Sequence, residues 1–326
     1  MSRIFTVTLN PAIDQTVRIG HLVPGAVHRA LGQQVEAGGK GVGVAAVAAA
    51  LGVPVTATGW LGADNDAVFV AAFAARGITD GMHRLAGSTR TNIKLADAER
   101  GDSTDINLPG LPLDTATLNR ATQALLAALE QQVQYGDWVE LAGSLPPGAS
   151  VAVWEKLARA LAARGAHIVI DTGGAVLLEL LRRLSDTHAG PVVPVAFIKP
   201  NRAELEELAG RPLPTLLGVA DAASALCRSH GVRQVVVSLG GEGAVMATPN
   251  GRWFAAAPQV QVATTVGAGD ALVAGTLSAL VQGQVFPAAA VFGMACAAAR
   301  IQRIAPGLPP RDEVDTIAAS IVPQPL

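Results

Sequence analysis

The sequence predicts an α/β fold in which a mostly parallel sheet carries helices on both faces and a small antiparallel sheet stands apart as a lid. Three observations lead there. From about residue 130 onward, short β-branched runs alternate with helical patterns, which is the signature of parallel strands joined by crossover helices. The N-terminal third instead holds segments that alternate polar and apolar residues, as a sheet with one wet face does. Finally, half of the 326 residues are hydrophobic, enough for one large core.

The first ten residues read as a short strand, without the charged and apolar regions of a leader. Thr16 to Ile19, Arg29 to Glu36, Thr91 to Ala96 and Thr104 to Leu108 form two pairs of lid strands, placing the lid at about 14–36 and 89–108 within one domain spanning 1–326. Helices are expected from Val42 to Ala50 and near Ala67 to Arg76. Trp138 to Leu141, His167 to Asp171, Val195 to Lys199 and Gln234 to Leu239 are the buried strands. Val151 to Ala163, Ala175 to Leu184, Arg202 to Leu208 and Ala220 to Ser229 are the helices between them. The Pro-rich end, Val322 to Leu326, is expected to fray.

Composition excludes several classes. The net charge is −2 and no basic block is present, so nothing resembles a nucleic-acid footprint. The apolar stretches are broken by Gly52 and Pro54 and are too short to span a bilayer. Cys227 and Cys296 sit in apolar helical stretches without CxxC spacing and read as free core thiols. A soluble, cytoplasmic protein is expected. Lysine occurs only at positions 40, 94, 156 and 199, and three of these fall in the motifs below.

The most telling motif is Thr264-Thr265-Val266-Gly267-Ala268-Gly269-Asp270, followed at once by an apolar helical run. Glycines let backbone N–H groups converge on an anion, and the helix start adds unpaired donors and the positive end of a dipole. Asp270 falls in the first turn, where a phosphoryl group and an attacking hydroxyl would meet. A first-turn Asp is also a common dipole partner. Ala37 to Ala45 holds a second glycine cluster. Gly41, Gly43 and Ala46, with Asp64 beyond, imitate a dinucleotide fingerprint, but the strand before them is polar where that fingerprint needs a buried one. A backbone clamp on a small polar substrate, with Lys40 near its phosphate, fits better. No Walker A sequence is present.

Other motifs each allow two readings. Asp14, just past the first strand, is placed to accept hydrogen bonds from two sugar hydroxyls or to close an Asx turn. Alternation puts Arg90, Asn92 and Lys94 on one lid face, where they suit a phosphorylated substrate; for Lys94 alone a solvated face is the simpler account. Asn201 and Glu204 have the spacing of a capping box, or would organise Mg²⁺ and its waters with Lys199 nearby. The turn Ser238 to Gly243 lies at a strand's carboxyl end, where such sheets bind ligands, or is a hairpin turn. Ser144, in Gly143-Ser144-Leu145-Pro146-Pro147-Gly148, faces substrate phosphate or belongs to a rigid proline turn.

Taken in order, Thr8 to Asp14, Gly38 to Gly41, Thr89 to Lys94, Gly143 to Gly148, Lys199 to Glu204, Ser238 to Gly243 and Val266 to Asp270 resemble the ribokinase-like, or PfkB, carbohydrate kinases. The resemblance runs from about residue 4 to about residue 304 and is strongest to the branch that phosphorylates fructose 1-phosphate or tagatose 6-phosphate. It implies a three-layer sandwich of ribokinase type with a β lid. It implies Asp270 as base and Gly267, Ala268 and Gly269 as the anion hole. Asp14, Gly38 and Gly39 would hold the sugar, and Lys40, Arg90 and Ser144 its phosphate. Lys199, Asn201 and Glu204 would tend ATP and Mg²⁺, with Glu204 reaching the metal through water, and Ser238, Gly240 and Gly243 would line the nucleotide. ATP and a phosphosugar are thus the expected small-molecule partners, with neither nucleic acid nor membrane, and a homodimer through the lid is compatible. The expected reaction is fructose 1-phosphate to fructose 1,6-bisphosphate, with fructose 6-phosphate or tagatose 6-phosphate as the alternative acceptor. A non-catalytic sensor and a dinucleotide oxidoreductase are the readings from other classes. Two positions depart from the branch: Gly43 stands where an Asn is usual, and Gly173 where a Ser is usual.

Overall fold

Runs of Val, Ile, Phe and Leu too short for helices and flanked by Gly and Pro become the strands of a ten-stranded sheet. The computed structural model describes residues 2–188, 190–303 and 307–326. In chain order the elements begin with β1 (Ile4–Thr8), β2 (Ala12–Ile19), β3 (Gly32–Gly38), α1 (Lys40–Ala50), β4 (Val55–Gly62), α2 (Ala67–Arg76), β5 (Thr79–Leu85), β6 (Thr91–Asp97) and β7 (Ser103–Ile106). Then follow α3 (Thr115–Gln132), β8 (Trp138–Ala142), α4 (Val151–Ala163), β9 (His167–Asp171), α5 (Gly174–Ser185), β10 (Val195–Ile198), α6 (Arg202–Ala209), α7 (Leu216–His230) and β11 (Val235–Ser238). The chain closes with β12 (Gly243–Ala247), β13 (Arg252–Ala256), α8 (Ala268–Val281), α9 (Ala288–Ile301), α10 (Arg311–Ser320) and β14 (Gln324–Pro325).

The large sheet runs β14-β13-β12-β11-β10-β9-β8-β1-β4-β5. Its pairings are parallel from β5 through β11 and antiparallel from there to β14. Two apolar layers cover it. One face packs on α3, α4, α5 and α7 around Trp154, Leu157 and Leu180. The other packs on α1, α8 and α9 around Val44, Leu277 and Ala295. The second layer is rich in Ala and Gly because α8 and α9 approach closely: a Cβ on Gly275 would come 2.6 Å from Cys296 Sγ. Both cysteines are buried free thiols, as expected, and burial raises Cys296 to about 12.

The lid is a four-stranded sheet in the order β3-β2-β6-β7. Its two antiparallel pairs, β2 with β3 and β6 with β7, join through a parallel pairing of β2 with β6. The expectation of a frayed tail is overturned. β14 pairs with the edge strand β13, and Leu326 N donates to Arg252 O at 3.0 Å. Prolines lack a donor, but an edge strand needs only alternate N–H groups, so Pro323 and Pro325 are tolerated there. Among the described residues no helix is long and apolar enough to cross a membrane.

Candidate active site

The strand ends of a parallel sheet leave backbone groups and loops at its carboxyl edge, and the motif residues gather at that edge. β1 leads to Asn10 and Asp14, β8 to Ser144, β9 ends in Asp171 and β10 runs into Lys199. Above them lie the first turns of α1 and α8.

The start of α8 is built as the sequence reading expects. Gly267 is its N-cap, in the left-handed region at φ 79°, and Asp270 is the acidic residue of its first turn. No side chain caps the helix; apart from Ala268 N, which donates to Thr265 O at a long 3.4 Å, its first N–H groups remain available to an anion. Asp270 faces a cavity of about 130 Å³ lined also by Asp14, Glu36, Gly38, Gly39, Gly43, Gly267 and Arg300. Burial, and then the neighbouring Asp171 carboxylate, push Asp270 up to about 7, against the pull of Lys40 and Lys199. A carboxylate poised there has the proton affinity a general base needs near neutral pH.

The glycine cluster of Ala37 to Ala45 turns out differently from a loop. α1 begins at Lys40, two residues ahead of the expected start, with Gly39 as N-cap at φ 116°. Gly41 and Gly43 are therefore helical, and the strand before them belongs to the lid. That leaves no buried strand for a dinucleotide fingerprint. Gly38 gives close approach to Asp14, since a Cβ there would collide with Asp14 Oδ2. Gly43 lies directly beneath Asp270: a Cβ at this position would collide with Asp270 Oδ2. The missing Asn is thus replaced by space that the Asp270 carboxylate fills.

Lys40 Nζ donates to Asp171 Oδ1 at 3.1 Å. Burial opposes its charge, but Asp171, with Glu204 and Asp270 farther off, more than offsets this and raises the Lys40 pKa. Lys199 is buried and points at the anion turn, where a Cβ on Gly269 would lie 3.5 Å from its Nζ. Asn201 and Glu204 do form the capping box: Asn201 Oδ1 accepts from Glu204 N at 2.9 Å, and Glu204 Oε2 accepts from Asn201 N at 2.8 Å. Gly173, the second departure, leaves room for Glu204 Oε1, which would sit 2.8 Å from a Cβ there.

Arg90 and Ser144 stand at a neighbouring wall. Arg90 Nε, Nη1 and Nη2 donate to the carbonyls of Pro11, Leu108 and Asn10 at 3.2, 3.0 and 3.1 Å. Asn10 Nδ2 donates to Ser144 Oγ at 3.0 Å. Arg90 thereby ties the base of β6 to the β1–β2 turn, and it lines a small pocket separate from the Asp270 cavity. Lys94 pairs with Asp105 across the lid at 3.3 Å, the solvated-face arrangement. Asn92 Nδ2 instead reaches Asp14 Oδ1 at 3.1 Å. Ser238 bridges to Asn201, while Gly240 and Gly243 shape a 3₁₀ turn and hairpin into β12. None of these three lines the Asp270 cavity.

Sequence reasoning misses Asp171, Glu140 and Arg300. Asp171 and Glu140 sit inside strand runs that read simply as buried. Arg300 closes α9, far along the chain from any motif, yet a Cβ on Gly267 would lie 3.2 Å from its Nε. Burial lowers the Arg300 pKa, with Glu36 and Asp270 opposing.

A carboxylate at a glycine-flanked helix start, with the buried Lys199 and the half-buried Lys40 beside it, is equipment for moving a phosphoryl group to a hydroxyl. Comparison with known proteins narrows this. The family model described as pfkB family carbohydrate kinase matches residues 7–313. A 1-phosphofructokinase of Xanthomonas campestris is 46% identical over 275 residues, covering 84% of this chain and 83% of the relative. One of Rhodobacter capsulatus is 39% identical over 319 residues, covering 98% and 96%. Among solved structures, phosphofructokinase-2 from Escherichia coli in complex with potassium superposes with a TM-score of 0.88 at 26% identity, covering 98% of this chain and 99% of that one. The chain belongs to the pfkB family of carbohydrate kinases.

Proposed function

We propose that the chain transfers the γ-phosphoryl group of ATP to fructose 1-phosphate, giving fructose 1,6-bisphosphate, in the cytoplasm. The observation that carries this reading is the Asp270 carboxylate, raised to about 7, facing a cavity shared with Asp14, Gly38 and Gly39. Asp14 and the Gly38-Gly39 backbone hold the sugar hydroxyls. Asp270 accepts the proton of the attacking hydroxyl as the oxygen bonds to phosphorus and the bond to the ADP oxygen breaks. The N–H groups at Gly267, Ala268 and Gly269 meet the charge on the phosphoryl oxygens. They cost no reorganisation because the helix already fixes them. Lys40, with Arg90 and Ser144 at the adjoining wall, serves the acceptor's own phosphate. Lys199, Asn201 and Glu204 serve the ATP phosphates, and Ser238, Gly240 and Gly243 the nucleotide.

Magnesium fits this donor set. Glu204 presents one carboxylate at the carboxyl edge, and no group of three His, Cys, Asp or Glu able to hold a metal exists among the described residues. Mg²⁺ suits such a site because it keeps its waters and binds mainly substrate phosphates. When bound it would neutralise charge on those phosphates, with Glu204 holding it through water.

The curated relatives named 1-phosphofructokinase, two of them matching 98% of the chain, support fructose 1-phosphate as acceptor. Gly43 and the solved Escherichia coli phosphofructokinase-2 in complex with fructose 6-phosphate favour fructose 6-phosphate, or tagatose 6-phosphate, as the second reading. ADP release with ATP and Mg²⁺ decides between them across fructose 1-phosphate, fructose 6-phosphate, tagatose 6-phosphate, fructose, ribose and adenosine. A kcat/KM for fructose 1-phosphate at least ~10-fold above the others is expected, a difference of about 1.4 kcal/mol in transition-state binding. Preference for a 6-phosphate selects the second reading, and silence across the panel rejects both.

A further inference from the structure

Glu140 stands in the middle of β8 with its side chain fully buried, and neither carboxyl oxygen has a hydrogen-bond partner. Orphaned buried carboxyls are rare enough to need a cause. Asp171 leaves a second one: its Oδ1 accepts from Lys40 Nζ, but its Oδ2 is buried and unpartnered. The strand register brings the two together. Glu140 pairs with Val169 and Ala142 with Asp171, so Glu140 and Asp171 rise from the same sheet face one diagonal step apart. Such a diagonal step is roughly 7–8 Å, somewhat less between β-carbons, within reach of long side chains. Thr6, the partner of Glu140 on β1, adds a fourth buried oxygen without a partner.

Two acceptor-only carboxylates cannot satisfy each other, whereas one acid O–H satisfies both. Charge balance points the same way. The charged groups facing Glu140 are Asp171 at the end of β9, Asp270 on α8, Lys40 on α1 and Lys199 after β10. A neutral Glu140 leaves two anions against two cations. An ionised one would make three anions against two, in a pocket that must also take in phosphates. Burial, Asp171 and Asp270 together hold the Glu140 carboxyl well above the usual carboxylate range, with Lys40 and Lys199 opposing.

We infer that Glu140 is a positioning residue of the acceptor site: it keeps its proton and donates it to Asp171 Oδ2, locking Asp171 so that Oδ1 anchors Lys40. This rests on the assignment of Lys40 to the acceptor's phosphate. Glu140→Gln retains a donor for Asp171, while Glu140→Met fills the same space without one. In crystals, a Glu140–Asp171 oxygen separation of about 2.6 Å is expected, the length of a charge-assisted O–H···O bond. The Lys40–Asp171 contact should survive in the Gln variant and be lost in the Met variant. In kinetics, the Gln variant keeps KM for the phosphosugar within about twofold. The Met variant raises it about tenfold with KM for ATP unchanged, as loss of a hydrogen bond to a charged group would. Wild-type KM for the phosphosugar should also climb at alkaline pH as Glu140 ionises, and the Gln variant should lack that climb. Carboxyls more than about 3.5 Å apart, or Gln and Met variants that behave alike, would overturn the inference. Should the wild type turn over no phosphosugar, the proposed function fails, and the two crystallographic contacts still decide the role of Glu140.

Discussion

Asp270 shows how one residue can be costly to the fold and suited to the chemistry proposed for it. Its pKa of about 7 exceeds the unfolded value near 3.9, so the folded chain binds the proton more tightly than the unfolded chain does. The associated stability is fully present below pH ~4 and is lost as pH rises through about 7. Asp270→Asn should therefore unfold at higher denaturant than the wild type at pH 8, by roughly 1–3 kcal/mol after allowance for the open side of the cavity. The two should converge near pH 4; a wild type that is the more stable at pH 8 would contradict the burial argument. The same variant should lose turnover by roughly 10²–10⁴-fold with ATP binding nearly intact. Wild-type kcat/KM should rise with pH through about 7, ahead of the alkaline fall that ionisation of Glu140 would bring. Full activity in Asp270→Asn sinks the mechanism. Gly43 belongs to the same argument, because the carboxylate occupies the space its missing side chain leaves. Gly43→Ala should push Asp270 aside and lower kcat about tenfold, a misplacement cost of the kind expected for reacting groups. A pre-steady-state measurement showing unchanged chemistry would mean that Asp270 has another rotamer of equal use. The sequence signals that Gly43 is unusual but gives no reason, since the reason lies more than two hundred residues along the chain.

At the scale of elements, the strand–helix alternation past residue 130 is legible because each run is short, apolar and bounded by Gly or Pro. β8, β9, β10 and β11 fall within a residue or two of the expected positions. The capping box of α6 is legible for a similar reason: its chemistry is local, three residues apart. Asn201→Ala should cost about 1 kcal/mol by denaturant unfolding, and a neutral outcome would show that Glu204 or water caps α6 unaided. What local patterns cannot show is how elements meet. Arg90 looks like a pure phosphate ligand in its motif, yet three of its nitrogens hold backbone carbonyls at the hinge between lid and body. Arg90→Ala should accordingly raise KM for the phosphosugar well above any change in KM for ATP, and should also loosen the lid. Faster amide exchange in β6, next to unchanged exchange in β8, would show that second effect. Equal rises in both KM values would remove Arg90 from the acceptor side.

At the scale of the molecule, the lid is too thin to stand alone. All four residues of β7 are exposed, and Val27, Leu31, Val35 and Ile106 leave apolar surface in water. A small sheet needs an apolar face packed on something before it is stable, and the body covers little of this one. A second copy of the chain is the occupant we propose, because two such lids, each with an exposed apolar face, can cover one another about a twofold axis. The consequence reaches the site. Asp14 on β2 and Asn92 on β6 belong to lid strands and are joined by a 3.1 Å hydrogen bond, so pairing would stiffen the strands proposed to grip the sugar. Sedimentation should give twice the chain mass at micromolar concentration. Leu31→Asp with Val35→Asp should give the monomer, since each places a charge in the buried face at a cost of several kcal/mol. The monomer should keep its ATP affinity and lose phosphosugar affinity, because of the proposed contacts only the sugar's lie on the lid. A wild type that sediments as a monomer with full activity would show that the exposed face serves some other purpose and that the body alone orders the lid.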